Sequence, residues 1–445
     1  MPLRRYLWPH ARGTTPTIPV GKFSMEWLEG LLPREFLPRF SPGRRSPLCL
    51  TCRGRGFCGR VSCPLLLRAQ SLIRVSRLVN SNLIQGSSPP AVFVGRIGYP
   101  KVWVGPMVPP VSGDTTIMDS PELWLEQSLE SLIQHRCLLV RGRRRSEVTG
   151  MDRSIRGLQE LAMSAGPVEA EMVLEKVPRV SLSLSEDAQP FGPSAPLRSL
   201  RLNVPRVDPR LEKAHNDTDL PASEAVCWLY RRGVPVSAIQ RSFSLGTFGV
   251  GRRRRLVPTR WSITAVDSLI SEHLVERVKQ LPIVEEYRVY KFRHLENRFV
   301  VVLFPHCWSF EWVEAWYPGT VWNQNPLPEL ISDWEGYWGR KSYPDIGGCY
   351  YACRLAVAEA LEREGRQAAV LAMREIHPGF LMPLGVWLVR ECIRRTMRQE
   401  PEKFSSLEEA LDSALSFFEL PKRAWLEQSR LLQELTRQLK LSSFL

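Results

Sequence analysis

The alternation of apolar and polar positions divides the chain into helices and strands in comparable measure. From Pro64 an apolar stripe through Leu66, Leu67, Ile73, Leu78 and Val79 predicts a helix that ends near Gly86. The stretch 87–110, SSPPAVFVGRIGYPKVWVGPMVPP, mixes apolar runs with Gly and Pro. It predicts one or two short strands joined by a tight turn at Gly98 to Pro100. Ser120 before Pro121 reads as a helix start, with Leu125, Leu129, Leu132 and Ile133 as its buried stripe. A strand-like run spans Val168 to Leu184, followed by the Pro/Gly-rich EDAQPFGPSAP. Asp219 to Arg232, closed by Gly233, and Asp267 to Gln280 read as two further helices, with Asp217, Asp219 and Asp267 as capping residues.

Residues 284–304, VEEYRVYKFRHLENRFVVVLF, form a hairpin pattern of two β-rich runs around a Glu296-Asn297 turn. A tryptophan-rich stretch follows from Trp308 to Trp338. Cys349 to Leu361 and Leu384 to Arg398 are helical in period, AAVLAMREI between them is strand-like, and the chain after Ser405 is helical almost to its end. No internal repeat is evident. The fold class expected is mixed α+β. The expected organisation is a basic Pro/Arg-rich arm (1–47), a cysteine-bearing module and helix (48–86), an α/β core (87–340), a mainly helical region (341–437) and a flexible terminal peptide (438–445).

Composition changes this picture little, but charge changes it more. With 445 residues, 44% hydrophobic and 24% charged, the chain is ordinary for a globular protein of two or three folded units. No run of about 20 uncharged apolar residues appears, and the start lacks a signal-peptide pattern, so a soluble intracellular protein is expected. The net charge of +14 is concentrated: residues 1–113 hold sixteen Lys and Arg against Glu26, Glu29 and Glu35. A segregated basic region suits a polyanion such as nucleic acid.

The segment CLTCRGRGFCGRVSC places Cys49, Cys52, Cys58 and Cys63 close enough for four thiolates to converge on one ion. A structural Zn2+ site is expected there, an iron–sulfur cluster being the alternative that thiolate ligands also permit. Arg53, Arg55 and Arg60 lie between those cysteines and are candidates to face phosphate. Two further arginine runs, with Arg143, Arg144 and Arg145 in RGRRR and Arg252, Arg253, Arg254 and Arg255 in GRRRR, are candidate phosphate contacts, with Arg260 and a base-stacking Trp261 just beyond. Charge runs are also common as plain solvated faces. No carboxylate or histidine pattern selects a catalytic centre.

The chain ends QLKLSSFL. Gln438, Leu441, Phe444 and Leu445 have the spacing of a recognition peptide that makes one tight turn and presents apolar plugs beside a leading glutamine. Together with the cysteine knuckle, FVGRIGYPKVWVGP and LVPTRWSITAVDS, this tail makes nearly the whole chain resemble the archaeal Nre family of DNA repair proteins. The resemblance implies a DNA repair factor in the cytoplasm of an archaeal cell, associated with its nucleoid. It implies that Gln438, Leu441, Phe444 and Leu445 bind the sliding clamp PCNA and that Cys49, Cys52, Cys58 and Cys63 are the family's cysteine cluster. Leu445 stands where the clamp motif usually has a second aromatic. The alternative is an enzyme acting on DNA, either a nuclease or an NAD-dependent ADP-ribosyltransferase-like protein with its cleft along 93–108. A clamp-binding hub without DNA contact is a third reading.

Overall fold

In the computed structural model the residues described are 63–178, 191–320, 323, 325–380 and 383–435. They form a mixed α+β fold built around two six-stranded sheets. The first follows helix α1 (Pro64–Leu78) and contains β1 (Leu83–Ser88), β2 (Val92–Val94) and β3 (Lys101–Val108). Helix α2 (Leu129–Leu138) leads to β4 (Val140–Glu147), and α3 (Arg153–Ala162) leads to β5 (Val168–Leu174) and β6 (Ser194–Leu202). The strand order is β1-β5-β6-β4-β3-β2, antiparallel except for the β4/β6 pair.

Four helices then connect the sheets: α4 (Pro209–Asn216), α5 (Ala222–Arg231), α6 (Val236–Ser244) and α7 (Thr259–Val278). The second sheet has β7 (Tyr287–His294), β8 (Asn297–Phe304), β9 (Ser309–Trp316) and β10 (Glu329–Glu335). Helix α8 (Cys349–Glu364) precedes β11 (Ala369–Ile376), and α9 (Trp387–Thr396) precedes β12 (Glu402–Phe404). Its order is β10-β9-β11-β8-β7-β12, so β11 enters between two strands formed earlier in the chain and runs parallel to β9. The largely apolar strands β8 and β11 are buried along nearly their whole length, as expected of strands covered on both faces.

One face of this sheet packs on the main core with α7, α8 and α9, where Trp308, Phe310 and Trp312 are buried. The other is covered by α10 (Leu407–Ser416), α11 (Lys422–Gln428) and the helical residues 430–435. Two buried carboxylates pin this C-terminal strap. Glu311 of β9 accepts from the Ser429 hydroxyl and from the backbone N–H groups of Arg430 and Leu431 at 2.9 and 3.0 Å. Glu375 of β11 accepts the N–H groups of Glu419 and Leu420 at 2.9–3.0 Å. A buried carboxylate is costly unless its lone pairs are filled, so each fixes a turn of the strap.

Several elements depart from their sequence pattern. The helix at Pro64 stops at Leu78, and Leu83–Ser88 is a strand, because Ser87 and its neighbours pair with β5. Ser120-Pro121 begins only a short 3-10 turn, and α2 starts at Leu129 on a Ser128 cap. The strand at Val168 ends at Leu174. The hairpin turn falls on Leu295 and Glu296, at φ 47° and 56°, one residue earlier than the pattern suggests. Asn297 is buried in β8 because its amide oxygen accepts two N–H groups of Arg374 at 2.7 and 2.9 Å.

The largest departure is Asp267. It does not cap a helix: α7 begins at Thr259 after Pro258, and Asp267 is fully buried within it. There it pairs with Arg390 at 2.7 and 3.0 Å and accepts from Gln240 Nε2 at 2.8 Å. Burial alone would pull the Arg390 guanidinium down, but Asp267 and Glu391 more than offset it and hold it above its ordinary range. Arg394 extends the network to Glu391 and Glu359, and the Tyr230 hydroxyl donates to Glu359 at 2.8 Å. Asp217 and Asp219 do not cap α5 either, since Pro221 stands at that position. Asp217 instead accepts the N–H groups of Asp219 and Leu220 in the preceding turn.

Candidate nucleic-acid interface

The RGRRR run lies on a strand, and strand geometry sorts it. Successive residues of β4 point to opposite faces, so Arg141, Arg143 and Arg145 share one face while Gly142 and Arg144 take the other. Arg144 forms a salt bridge to Asp152, the residue that caps α3. On the shared face, Trp103 of β3 stands beside Arg143 and Arg145, whose guanidinium carbons lie 5.3 and 4.9 Å from its ring centre. Arg141 lies 5.6 Å over Phe93 and 4.6 Å over Phe191. Burial, then the charges of Arg143 and Arg136, pull the Arg141 guanidinium down to about 10. The Nε atoms of Arg141 and Arg143 are buried without a hydrogen-bond partner among the described residues. Such cations cost free energy, and among the described residues the ring faces offset part of it.

The β2–β3 hairpin carries GRIGYPK at its tip. Gly98 adopts φ 87°, and a Cβ there would meet the Arg145 guanidinium. Arg145 Nη1 in turn donates to the Lys101 carbonyl at 2.6 Å. Farther down the hairpin a Cβ on Gly105 would run into the Gly142 carbonyl, so the 93–108 segment is packed into the sheet at that point. The tip itself is exposed, with Arg96, Ile97, Tyr99 and Lys101 open to solvent. Glu147 faces Lys101 across the β3/β4 ladder.

The second arginine run joins the same edge. Leu256 N donates to the Val148 carbonyl at 2.7 Å, placing the 251–255 loop against the end of β4. Arg254 is turned inward, donating to the carbonyls of Gly249 and Asp217 at 2.7 and 2.8 Å, whereas Arg252, Arg253 and Arg255 are exposed. The first turn of α7 follows with Arg260 and Trp261 exposed. Val94 N donates to the Thr259 hydroxyl at 2.9 Å, tying hairpin to helix, and the Trp261 and Tyr99 rings meet at 5.2 Å. Tyr343 lies beside this turn with its ring half exposed and its hydroxyl crowded. Burial pushes that phenol up, against the Thr264 hydrogen bond and the Arg260 charge.

The structure places Arg145 at the hairpin tip whose Tyr99 meets Trp261, next to Arg260. It leaves Arg143 half-buried against Trp103 and Arg252, Arg253 and Arg255 exposed on the adjoining loop, and sets Arg144 and Arg254 apart in structural contacts. Tyr99, Trp103, Arg96 and Lys101 belong to the same surface and were not candidates in the sequence reading. The GRIGYPK turn was visible there, but not its approach to Trp261. Cys49, Cys52, Cys58, Arg53, Arg55, Arg60, Gln438, Leu441, Phe444 and Leu445 lie outside the described residues. Cys63 is a half-exposed free thiol at the N-cap of α1, a position that leaves it open to a ligand role. Elsewhere a cavity of about 600 Å³ is lined by Glu122, Tyr230, Arg231, Arg277, Glu362 and Arg394, with charged walls largely paired, as in Arg277–Glu362 at 2.7 Å. Among the described residues, no three of His, Cys, Asp and Glu gather as metal ligands, and no helix is long and apolar enough to cross a membrane.

These features define a mixed α+β protein with a basic, aromatic surface at one end of its first sheet. Residues 57–323 match the family described as Archaeal Nre, N-terminal, and residues 335–444 match Archaeal Nre, C-terminal. The chain belongs to the archaeal Nre family. It is 43% identical over 386 residues to the DNA repair protein NreB of Archaeoglobus fulgidus, covering 86% of this chain and 97% of the relative. It is 36% identical to the DNA repair protein NreA of the same organism, covering 82% of this chain and 92% of the relative. With the DNA repair protein NreA of Haloferax volcanii the identity is 37%, over 74% of this chain and 81% of the relative. No solved structure matches.

Proposed function

We propose that this chain is a DNA repair factor of the archaeal cell that holds DNA on the β4, hairpin and α7 edge and is delivered to the sliding clamp PCNA by its last eight residues. The observation that carries the DNA contact is a set of arginines without carboxylate partners among the described residues, beside exposed aromatic rings. Guanidinium groups fork onto phosphates, and rings accept bases, so both chemistries of a nucleic acid are met on one edge. The relatives' names as DNA repair proteins point the same way. In the clamp contact, Gln438 hydrogen-bonds in its own pocket while Leu441, Phe444 and Leu445 fill an apolar one. The tail follows in sequence the helical residues that Glu311 pins to the body.

A structural Zn2+ on Cys49, Cys52, Cys58 and Cys63 would fold the segment before α1 and place Arg53, Arg55 and Arg60 near the same polyanion. No reaction step is assigned.

The test is binding of the full chain to labelled DNA across a salt series, paired with clamp binding before and after removal of residues 438–445. The expected outcome is a DNA affinity that falls as salt rises, because neutralised phosphates release counterions. Loss of the tail abolishes clamp binding and leaves the melting midpoint unchanged. A DNA affinity indifferent to salt, or clamp binding that survives the deletion, contradicts the respective half.

A further inference from the structure

We propose that this surface takes single-stranded or unpaired DNA in preference to closed duplex, with bases stacked on Trp261 and Tyr99 and the flanking phosphates held by Arg145, Lys101 and Arg260. This rests on the DNA-binding reading above and specifies its substrate. Trp261 and Tyr99 are 46% and 45% exposed although they touch, with ring planes tilted by 52°. Ile97, at 80% exposure, stands two residues from Tyr99 on the same tip.

The platform is stiff. The Thr259 hydroxyl accepts from Val94 N at 2.9 Å, and Arg145 Nη1 donates to the Lys101 carbonyl at 2.6 Å, so hairpin, β4 and α7 hold one another. Aromatic rings fixed in advance lose little freedom on stacking against a base. In a closed duplex the bases present only their edges, and an exposed ring has no base face to meet unless a step is unstacked. In a single strand every base offers a face, whatever its sequence. Phosphates on either side of a stacked base then meet Arg145 and Lys101 on the hairpin side and Arg260 on the helix side. Tyr343, beside Thr264 one turn further along α7, is a third ring exposed by half.

The test is a fluorescence-anisotropy titration of the full chain against a labelled oligothymidine strand, a duplex of the same length and a duplex with a central gap. The strand and the gapped duplex should bind about tenfold or more tighter than the closed duplex. Trp261→Ala should weaken strand binding by roughly 5- to 150-fold, the range of losing one stacked base, and change duplex binding by less than about twofold. Trp261→Phe, which keeps a ring face, should retain most of the affinity and controls for folding. Duplex binding as tight as strand binding overturns the proposal, as does an equal loss on all three DNAs in a folded Trp261→Ala chain. If none of the three binds, the DNA reading itself fails and the rings serve a partner of another kind.

Discussion

The two sheets treat charge in opposite ways. In the second sheet, Arg374 meets Glu314 at 2.9 Å and Asn297, while Arg354, reaching from α8, meets Glu335 at 2.6 Å; all are buried and all are paired. In the first sheet, Arg141, Arg143 and Arg145 line one face beside aromatic rings and, for Arg145, the Lys101 carbonyl, with no carboxylate partner among the described residues. Paired buried charge fixes packing, and its loss appears as lost stability. The exposed Arg145 contributes little to folding and is available to an external anion, whereas Arg141 and Arg143 are half-buried against ring faces. The same residue type is therefore structural on one sheet and a candidate contact on the other.

That contrast is broken most forcefully at Arg390. Arg390→Met leaves Asp267 buried without its ion, and a loss of about 3–5 kcal/mol is expected in urea unfolding. The double variant Asp267→Leu/Arg390→Met should recover much of it, since a matched apolar pair removes the stranded charge. A single variant that unfolds at the native urea midpoint would refute the structural role.

Glu375 gives a smaller effect with a sign in pH. Burial would raise its carboxyl, but the hydrogen bond from His377 and the N–H groups of Glu419 and Leu420 outweigh this and hold it below the ordinary 4.5. A depressed folded value means that its stabilisation is present above pH 4.5 and fades as pH falls through the lower folded value. Glu375→Gln should cost about 1–3 kcal/mol at neutral pH. The difference in melting midpoint from the native chain should shrink below pH 4.5, and a gap that widens on acidification would be the wrong sign.

The smallest expected effect is on the first sheet. Arg145→Ala should cost no more than about 1 kcal/mol, the worth of its exposed hydrogen bond to the Lys101 carbonyl. A loss as large as that of Arg390→Met would place Arg145 among the structural charges.

The elements that the sequence displayed are those whose signal is local. β8 and β11 carry near-continuous apolar runs, β7 a β-rich run and α8 a helical period, and each appears within a few residues of its pattern. Asp267 was misread because a carboxylate near an apparent helix start looks like a cap, and its partner Arg390 lies 123 positions away. The true start of α7, at Thr259 after Pro258, carries no polar cap to announce it. Likewise, arginines in series fit phosphate contacts or a plain solvated face, and only pairing with β3 sorted Arg141 to Arg145 into two faces. Trp261 was legible as a candidate base-stacking ring beside basic residues. Its neighbour Tyr99 was not, because their approach depends on the hydrogen bond from Val94 N to Thr259.

The most direct test of the contrast is the salt dependence of DNA affinity for the native chain and for Arg145→Ala/Arg255→Ala/Arg260→Ala, both confirmed folded by their melting midpoints. Each phosphate contact removed should flatten the plot of log affinity against log salt by about 0.7–0.9, so the triple variant should lose roughly two units of slope. An unchanged slope at an unchanged affinity would contradict the assignment of this surface to DNA.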